Sequence, residues 1–324
     1  MKRLPCTRPI ALRGAAQRGA ALLVAMVILT LVSTLAAGMV WQQWRAVQVE
    51  SAERARTQAA WVLTGALDWG RMVLREDRRT TSDHLGEIWA TPLAEARLST
   101  FLAQVRNNTA DSGPEAFLSG SIRDAQSRYN LRNLVVEGKV VEAELAVLKR
   151  LCESAAVPIE TAELIANGLA ASWQPASTDE NAAAAPLPPR LVGQLLWLGV
   201  DAQVVQRLAP FVELLPVPTV LNLNTASREV LAAVVDGLDA SSAERVVQAR
   251  QRQPFDSIAA ARAHLPADTK VDNSHIGVSS KYFEIFGRLR LEGLVLEERA
   301  LVERTQGGVV ALLRERHSVR VDGP

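Results

Sequence analysis

With 324 residues, 48% of them hydrophobic, the chain is long enough for one or two packed domains. Its formal net charge of +1 is unevenly placed: five of the 36 basic residues and none of the 35 acidic ones precede Gly19, so the remainder carries −4, which argues against a general nucleic-acid surface. Of the two cysteines only Cys152 lies beyond that basic leader, so a chain without the leader holds one thiol and no internal disulfide even in an oxidising compartment, and Cys152 is expected as a small buried apolar residue.

From Ala20 to Val40 there is no charge, and the only polar side chains are Thr30, Ser33 and Thr34. At ~1.5 Å per residue such a run spans roughly 30 Å, the hydrocarbon thickness of a bilayer. Lys2, Arg3, Arg8, Arg13 and Arg18 stand before it, no acidic residue occurs before Glu50, and Trp41, Trp44 and Arg45 follow. Basic residues in a short leading segment hold that end in the cytoplasm, and tryptophans suit the far interface. The expectation is a single pass of the inner membrane, N-terminus cytoplasmic, with most of the chain periplasmic. Three readings share this run: a secretory signal closed by Ala36-Ala37-Gly38, an uncleaved anchor, or a cut ahead of the run between Gly19 and Ala20. The last order, basic leader, glycine, intact apolar helix, resembles the type IV pilin and pseudopilin class, whose prepilin peptidase cuts there.

The next stretch continues as helix. Ala52, Ala55, Ala59, Val62, Ala66, Trp69 and Val73 recur at steps of three and four, an amphipathic stripe of mostly small residues, and Glu50 and Arg54 stand at i,i+4. No proline falls between Ala20 and Thr91. One helix from Ala20 to about Arg75 is therefore predicted, on the order of 85 Å long, half in lipid and half packed on a domain; the alternative is a membrane helix followed by a separate one. Asp83-His84-Leu85-Gly86-Glu87-Ile88-Trp89 places three metal-ligating residue types together, but without a second histidine or paired cysteines, and a packed Trp89 beneath a capped turn is expected instead. Leu118–Asp124 and Ser127–Val136 have the loose period of two that predicts strands.

Between Val140 and Leu215 the spacing turns helical, through Leu145, Leu148 and Cys152, then Ile159 to Leu169, then Leu191 to Leu208. Gln174–Pro189, rich in proline and alanine, predicts a flexible loop, and its Asp179 and Glu180 fall far short of a calcium shell. At Asn222-Leu223-Asn224-Thr225-Ala226 a new unit begins, with Thr225 a candidate N-cap and helices predicted at Ser227–Val235 and Ser241–Arg252. This pair resembles a helix-hairpin-helix module of DNA-uptake receptors, so a membrane-anchored periplasmic DNA receptor using Arg245 and Arg250 is an alternative function. Against it, the hairpin Gly237-Leu238-Asp239 has an aspartate where a phosphate would need a glycine amide, and Asp236 adds charge of the wrong sign. Tyr282–Leu291, Leu294–Arg304 and Val309–Arg316 predict three antiparallel strands, with Phe283, Ile285, Leu289 and Leu291 facing one way and Glu284, Arg288 and Arg290 the other, and a hairpin turn at Thr305-Gln306-Gly307-Gly308. The four histidines, His84, His264, His275 and His317, fall in no nucleophile or metal motif, so no enzyme is expected.

Over most of its length the chain resembles the minor pseudopilin K family of the type II (general) secretion pathway. The matching stretches are Arg18-Gly19-Ala20 with its apolar run, Asp83-His84-Leu85-Gly86-Glu87 to Trp89, Ile122-Arg123-Asp124, Tyr129-Asn130-Leu131 to Leu134, Leu221 to Ala226 with Val230-Leu231-Ala232, and Tyr282-Phe283. Val24, fifth after the cut, stands where most pilins carry glutamate, a feature of K subunits. The resemblance implies an α+β fold, a pilin-like long N-terminal helix packed on an antiparallel sheet with a large inserted helical domain. The expected layout is a cleaved leader 1–19, a membrane segment 20–44, a first α/β part 45–136, the inserted helical domain 137–216, a helix-hairpin-helix-like module 217–266 and a second β part 267–324. It implies a subunit at the pseudopilus tip that initiates or caps assembly for export of folded proteins across the outer membrane. Its partners would be minor pseudopilins I and J, with H and the major pseudopilin as further neighbours, and prepilin peptidase; no nucleic acid is expected. Family members often carry an acidic Asp-Trp-rich loop suited to calcium. Here that place reads Ser172-Trp173-Gln174-Pro175, which leaves no cofactor expected there and Asp268, Asp272 and Asn273 as substitute calcium candidates.

Overall fold

The computed structural model describes residues 16–77, 81–99, 115–173, 186–267, 269, 274–291 and 294–320. Two compact units are present, Met1–Ala60 and Trp61–Pro324. Helix α1 runs from Ala16 to Asp77. In the first unit every residue from Ala20 to Arg54 is exposed. This stretch contains a window of mean hydropathy 2.5, an apolar surface that only lipid or other apolar helices satisfy. The hydroxyls of Thr30 and Thr34 each donate to a carbonyl three residues back, Val27 and Leu31, at 2.9 Å, so the apolar run carries little unsatisfied polarity.

In the second unit the last turns of α1 cover a five-stranded sheet. Its strands are β1 Leu93–Arg97, β2 Ala116–Asp124, β3 Tyr282–Leu291, β4 Leu294–Thr305 and β5 Gly308–Arg320, antiparallel throughout and adjacent in chain order. The buried line of the helix is Ala59, Leu63, Leu67, Gly70 and Leu74, which keeps Ala59 of the expected stripe and corrects the rest of it. Val62, Ala66, Trp69 and Val73 lie one residue round the helix and remain partly or fully exposed, because leucine removes more apolar area than alanine and takes the inner position. Small residues still matter where the helix meets the sheet: an added Cβ at Gly70 would stand 3.0 Å from Ile285, and one at Gly287 would stand 3.1 Å from Leu63. Leu67 and Leu74 pack with Trp89, Ile122, Phe283, Ile285, Ala300, Val302 and Val309. Trp89 meets Phe283 edge-on, ring centroids 5.2 Å apart.

Strands β2 and β3 pair continuously from Ala116↔Leu291 to Asp124↔Phe283. Everything from 125 to 281 therefore leaves and re-enters the sheet at one end of a strand pair, where an ordinary hairpin would have a short turn. This insertion holds α2 Glu142–Ser154, α3 Glu160–Ser172, α4 Ala202–Leu208, α5 Arg228–Val234, α6 Ala240–Arg252 and α7 Ile258–Arg262, with one core running from Tyr129 to Ile276. Cys152 is buried in it, and burial pushes its thiol up to about 11.

Three local expectations are corrected. Ser127–Val136 is not one strand: a 3-10 turn at Leu131–Leu134 separates two-residue ladders, because the Asn130 carboxamide accepts from the Arg132 amide at 3.0 Å and closes the turn. Val192–Leu198 is a 3-10 helix rather than α, stopped at Gly199 with φ 85°. The N-cap of α5 is Ser227, accepting from Val230 at 3.3 Å, not Thr225. Residues 174–185 of the proline-rich loop, with Asp179 and Glu180, lie outside the described residues.

Candidate functional site

The insertion joins the sheet through a neck of buried polar groups. Asp124, the last residue of β2, accepts on Oδ2 from the Ser280 hydroxyl at 2.6 Å, the Thr225 hydroxyl at 2.6 Å and the Asn222 carboxamide at 2.9 Å, and on Oδ1 from the Gln126 amide at 2.8 Å. Asn222 also donates to the Asp83 carbonyl at 3.1 Å, and the Asp83 carboxylate accepts from the Ser280 amide at 2.6 Å. Gln126 accepts from the Lys281 amide at 2.6 Å and donates to the Val220 carbonyl at 2.9 Å. Burial pushes Asp124 up to about 6, opposed by the bonds from Ser280, Thr225 and Gln126. With its proton directed at a buried carboxylate that Thr225, Asn222 and Gln126 also hold, Ser280 is placed as a fastener.

Beside the neck, oxygens of Asp77, Asp83 and Glu87 lie within 4.8 Å of one another, the arrangement of a cation site. Arg304 reaches into it, 3.1 Å from Asp77 and 2.5 Å from Asp83, and supplies positive charge. Burial raises Asp77 to about 6, helped by the charges of Glu87 and Asp83 and opposed by Arg304. Glu87 accepts from the Trp89 indole at 2.7 Å, so the expected packed tryptophan also orients this carboxylate.

On the opposite face of the sheet, Glu284 is fully buried, which corrects its expected solvent position. It pairs with Arg128 and Arg299, and Glu213 pairs with the same two guanidiniums at 2.7 and 3.3 Å. Burial works to raise both carboxyls. For Glu284 the two guanidiniums win and hold it below the ordinary range; Glu213, buried and facing the charge of Glu284, is raised. Glu284 and Arg299 are strand residues, whereas Arg128 and Glu213 belong to the insertion, so this network also ties the two together. No local pattern signals it: Arg128 and Glu284 are 156 residues apart.

The outward stripe of α1 has a place as well. Val62, Gly65, Ala66, Trp69 and Val73 line an apolar groove of about 300 Å³ against β2 and β3, with Ile88, 82% exposed, at its rim. In the helix-hairpin-helix-like module, Asp239 accepts from the Ser242 amide at 2.8 Å and so fills the helix end that a phosphate would need. Arg250 is buried and donates to the Leu223 and Ala226 carbonyls, which takes it away from any DNA surface; burial lowers it to about 10. Gly19, Ala20 and Val24 lie on α1, with Val24 57% exposed, while Asp268, Asp272 and Asn273 lie outside the described residues. The histidines do not converge: His84 accepts from Gly86, His264 stacks on Phe255, His275 lies 3.2 Å from Glu144 and His317 sits on β5.

An exposed apolar helix whose last turns close one face of an antiparallel sheet defines a pilin-like protein, here with a helical domain carried on one strand connection. Two family models described as type II secretion system (T2SS), protein K match residues 127–217 and 221–279. Type II secretion system protein K of Pseudomonas aeruginosa is 29% identical over 300 residues, covering 85% of each chain, and that of Pectobacterium carotovorum is 25% identical over 340 residues, covering 95% of this chain and 99% of its own. A chain of the GspK-GspI-GspJ complex from enterotoxigenic Escherichia coli superposes with a TM-score of 0.59 at 20% identity, over 82% of this chain and 98% of that one, a likeness of fold. Over most of its length the chain is thus similar to type II secretion system protein K. Both matched segments fall within the insertion, so the family's mark lies in the grafted helical domain more than in the pilin part.

Proposed function

We propose that this chain is a tip subunit of the periplasmic pseudopilus, cut between Gly19 and Ala20 by prepilin peptidase. In this reading it assembles with minor pseudopilins I and J to start or cap the filament during export of folded proteins. The observation that carries it is the apolar run Ala20–Val40, which has no carboxylate and has Val24 at its fifth position. In a stack of such helices a glutamate there offers a buried partner for the next subunit's terminal amine. A subunit with Val24 leaves such an amine unpaired in a low-dielectric setting, a costly arrangement, and so belongs at an end. Support comes from the 125–281 insertion, bulk that an ordinary stacking subunit lacks, and from the complex in which the fold relative was crystallised. The basic leader fits a cytoplasmic N-terminus, with H and the major pseudopilin as further neighbours.

Mass spectrometry of the mature N-terminus, in cells with and without prepilin peptidase, tests the processing: Ala20 first with the enzyme and Met1 without it are the expected results. A native chain beginning downstream of Gly38, or at Met1 with the peptidase present, overturns it. Gly19→Ala is expected to keep the leader attached. Co-purification with I and J tests the placement, and persistent failure with folded partners would count decisively against it.

A further inference from the structure

A cleft on the insertion lies apart from the neck and the groove. It has a volume of about 580 Å³ and is lined on one side by Arg245, Gln248 and Arg252, at steps of three and four along α6, and on the other by Gln253 and His264 over the buried ring of Phe255. The volume is that of a small-ligand or peptide pocket, with an apolar floor and a few convergent polar groups. Arg245 and Arg252 are exposed, and among the described residues neither forms a salt bridge; Arg245 donates to the Ser242 hydroxyl at 2.7 Å and lies close enough to Asp239 to lower that carboxyl. Arg228 on the neighbouring α5, by contrast, pairs with Glu229 at 2.7 Å and Glu244 at 3.9 Å. The cleft therefore presents two guanidiniums outside any salt bridge, beside the amide of Gln253 and that of Gln248, which also donates to Glu244 at 3.3 Å, with Asp256 the carboxylate in its lining.

We propose that this cleft binds an extended acidic peptide segment of a protein partner. Seven residues of helix separate the two arginines by about 10 Å along the axis, which matches carboxylates three residues apart in a chain extended at ~3.3 Å per residue. Spaced carboxylates can avoid Asp256, whereas a continuous phosphate backbone meets Asp256 in the cleft and Asp239 at the far end of the same helix. The recognition is bidentate and charge-assisted, so it weakens with added salt.

Fluorescence anisotropy on the full-length chain in detergent micelles tests this, with a labelled peptide carrying glutamate at every third position among glycines and serines as probe. Saturable binding is expected, weaker at high sodium chloride and absent for the same peptide with glutamine in place of glutamate. Arg245→Glu with Arg252→Glu is expected to weaken it at least ten-fold, and the milder Arg245→Gln with Arg252→Gln several-fold, while Arg228→Glu changes it less than two-fold. Circular dichroism of each variant establishes that it is folded. Equal affinity for the double variants, no saturation at millimolar peptide, tighter binding of a labelled oligonucleotide of equal charge, or displacement by inorganic phosphate at concentrations matching the peptide's would each overturn the proposal. Its outcome is independent of where the leader is cut.

Discussion

The sheet and the insertion bury themselves in different ways. The insertion closes on itself: its core runs without interruption from Tyr129 to Ile276 and needs nothing from α1. The sheet has a short apolar list on one face, and that face is complete only with Leu63, Leu67 and Leu74 of the helix above it. Its other face carries buried charge, Glu284 with Arg299, and it is there that Arg128 and Glu213 of the insertion attach. Each region is thus apolar within, and the junction between them is largely polar, with one small apolar cluster of Ala125, Leu215, Tyr282 and Leu301. Hydrogen-bonded charge at a junction adds little net stability, but it penalises every misaligned docking heavily. The comparison teaches that the neck and the ion network set how the helical domain stands on the strand pair, while separate apolar cores keep each part folded.

The most direct way to break that contrast is to damage one core alone. Trp89→Ala removes the ring that packs on Phe283 and is expected to cost about 3–5 kcal/mol. In urea with hydrogen exchange as the readout, amides of β2, β3 and β4 should lose protection while those of α2 and α3 keep it. A uniform loss across both regions would show that they share one cooperative unit after all. Next, Glu284→Ala strands two guanidiniums with only Glu213 and Glu315 to face them and is expected to cost about 3 kcal/mol. Because the loss falls on the junction, both regions should stay folded while their coupling drops, seen as the urea midpoints of the sheet and insertion amides moving further apart.

How much of this was legible in the sequence follows the same division. Helix α1 was legible because an uncharged run and a proline-free continuation are local signals, and β3, β4 and β5 because alternation and a Thr-Gln-Gly-Gly turn are local too. The buried side of α1 was misplaced by one residue: small and large apolar residues alternate there, and spacing alone does not say which row goes inward. Glu284 was misplaced because a charge on a strand reads as a solvent face unless its partners are known, and one of them comes from residue 128. Nothing local marks Asp124 as a hub, since its donors arrive from positions 222, 225 and 280. Periodicity reports an element's own faces, and the junction is built largely from pairs more than eighty residues apart.

The pH dependence sharpens the picture of the neck. Asp77 and Asp124 both rise to about 6 in the folded chain, from an unfolded value near 3.8, so folding takes up protons between roughly pH 4 and 6. A raised carboxyl favours the folded state fully below the unfolded value, and that contribution fades as pH climbs through 6. Glu284, held low, works in the opposite sense, its contribution present above about 4.5 and lost in acid. Asp77 is only half-buried, so solvent screening discounts its share. The advantage of the native chain over Asp77→Asn should be larger at pH 4 than at pH 7, by about 1–2 kcal/mol. Chemical unfolding at the two pH values measures it, and an advantage that grows toward neutral pH would mean that the Arg304 pair, not burial, governs this carboxyl.

The smallest effect belongs to a residue that sequence spacing sets beside a large one. Trp61 is 73% exposed and Leu63 fully buried, two positions apart on α1 and on opposite sides of it. Leu63→Ala opens a hole against Gly287 and is expected to cost about 2–4 kcal/mol. Trp61→Ser removes a larger side chain yet should change unfolding by no more than about 0.5 kcal/mol, since little of its area leaves water when the chain folds. The pair therefore measures which row of α1 the sheet holds. If Trp61→Ser proved the costlier of the two, the sheet would hold a row of α1 other than Leu63, Leu67 and Leu74.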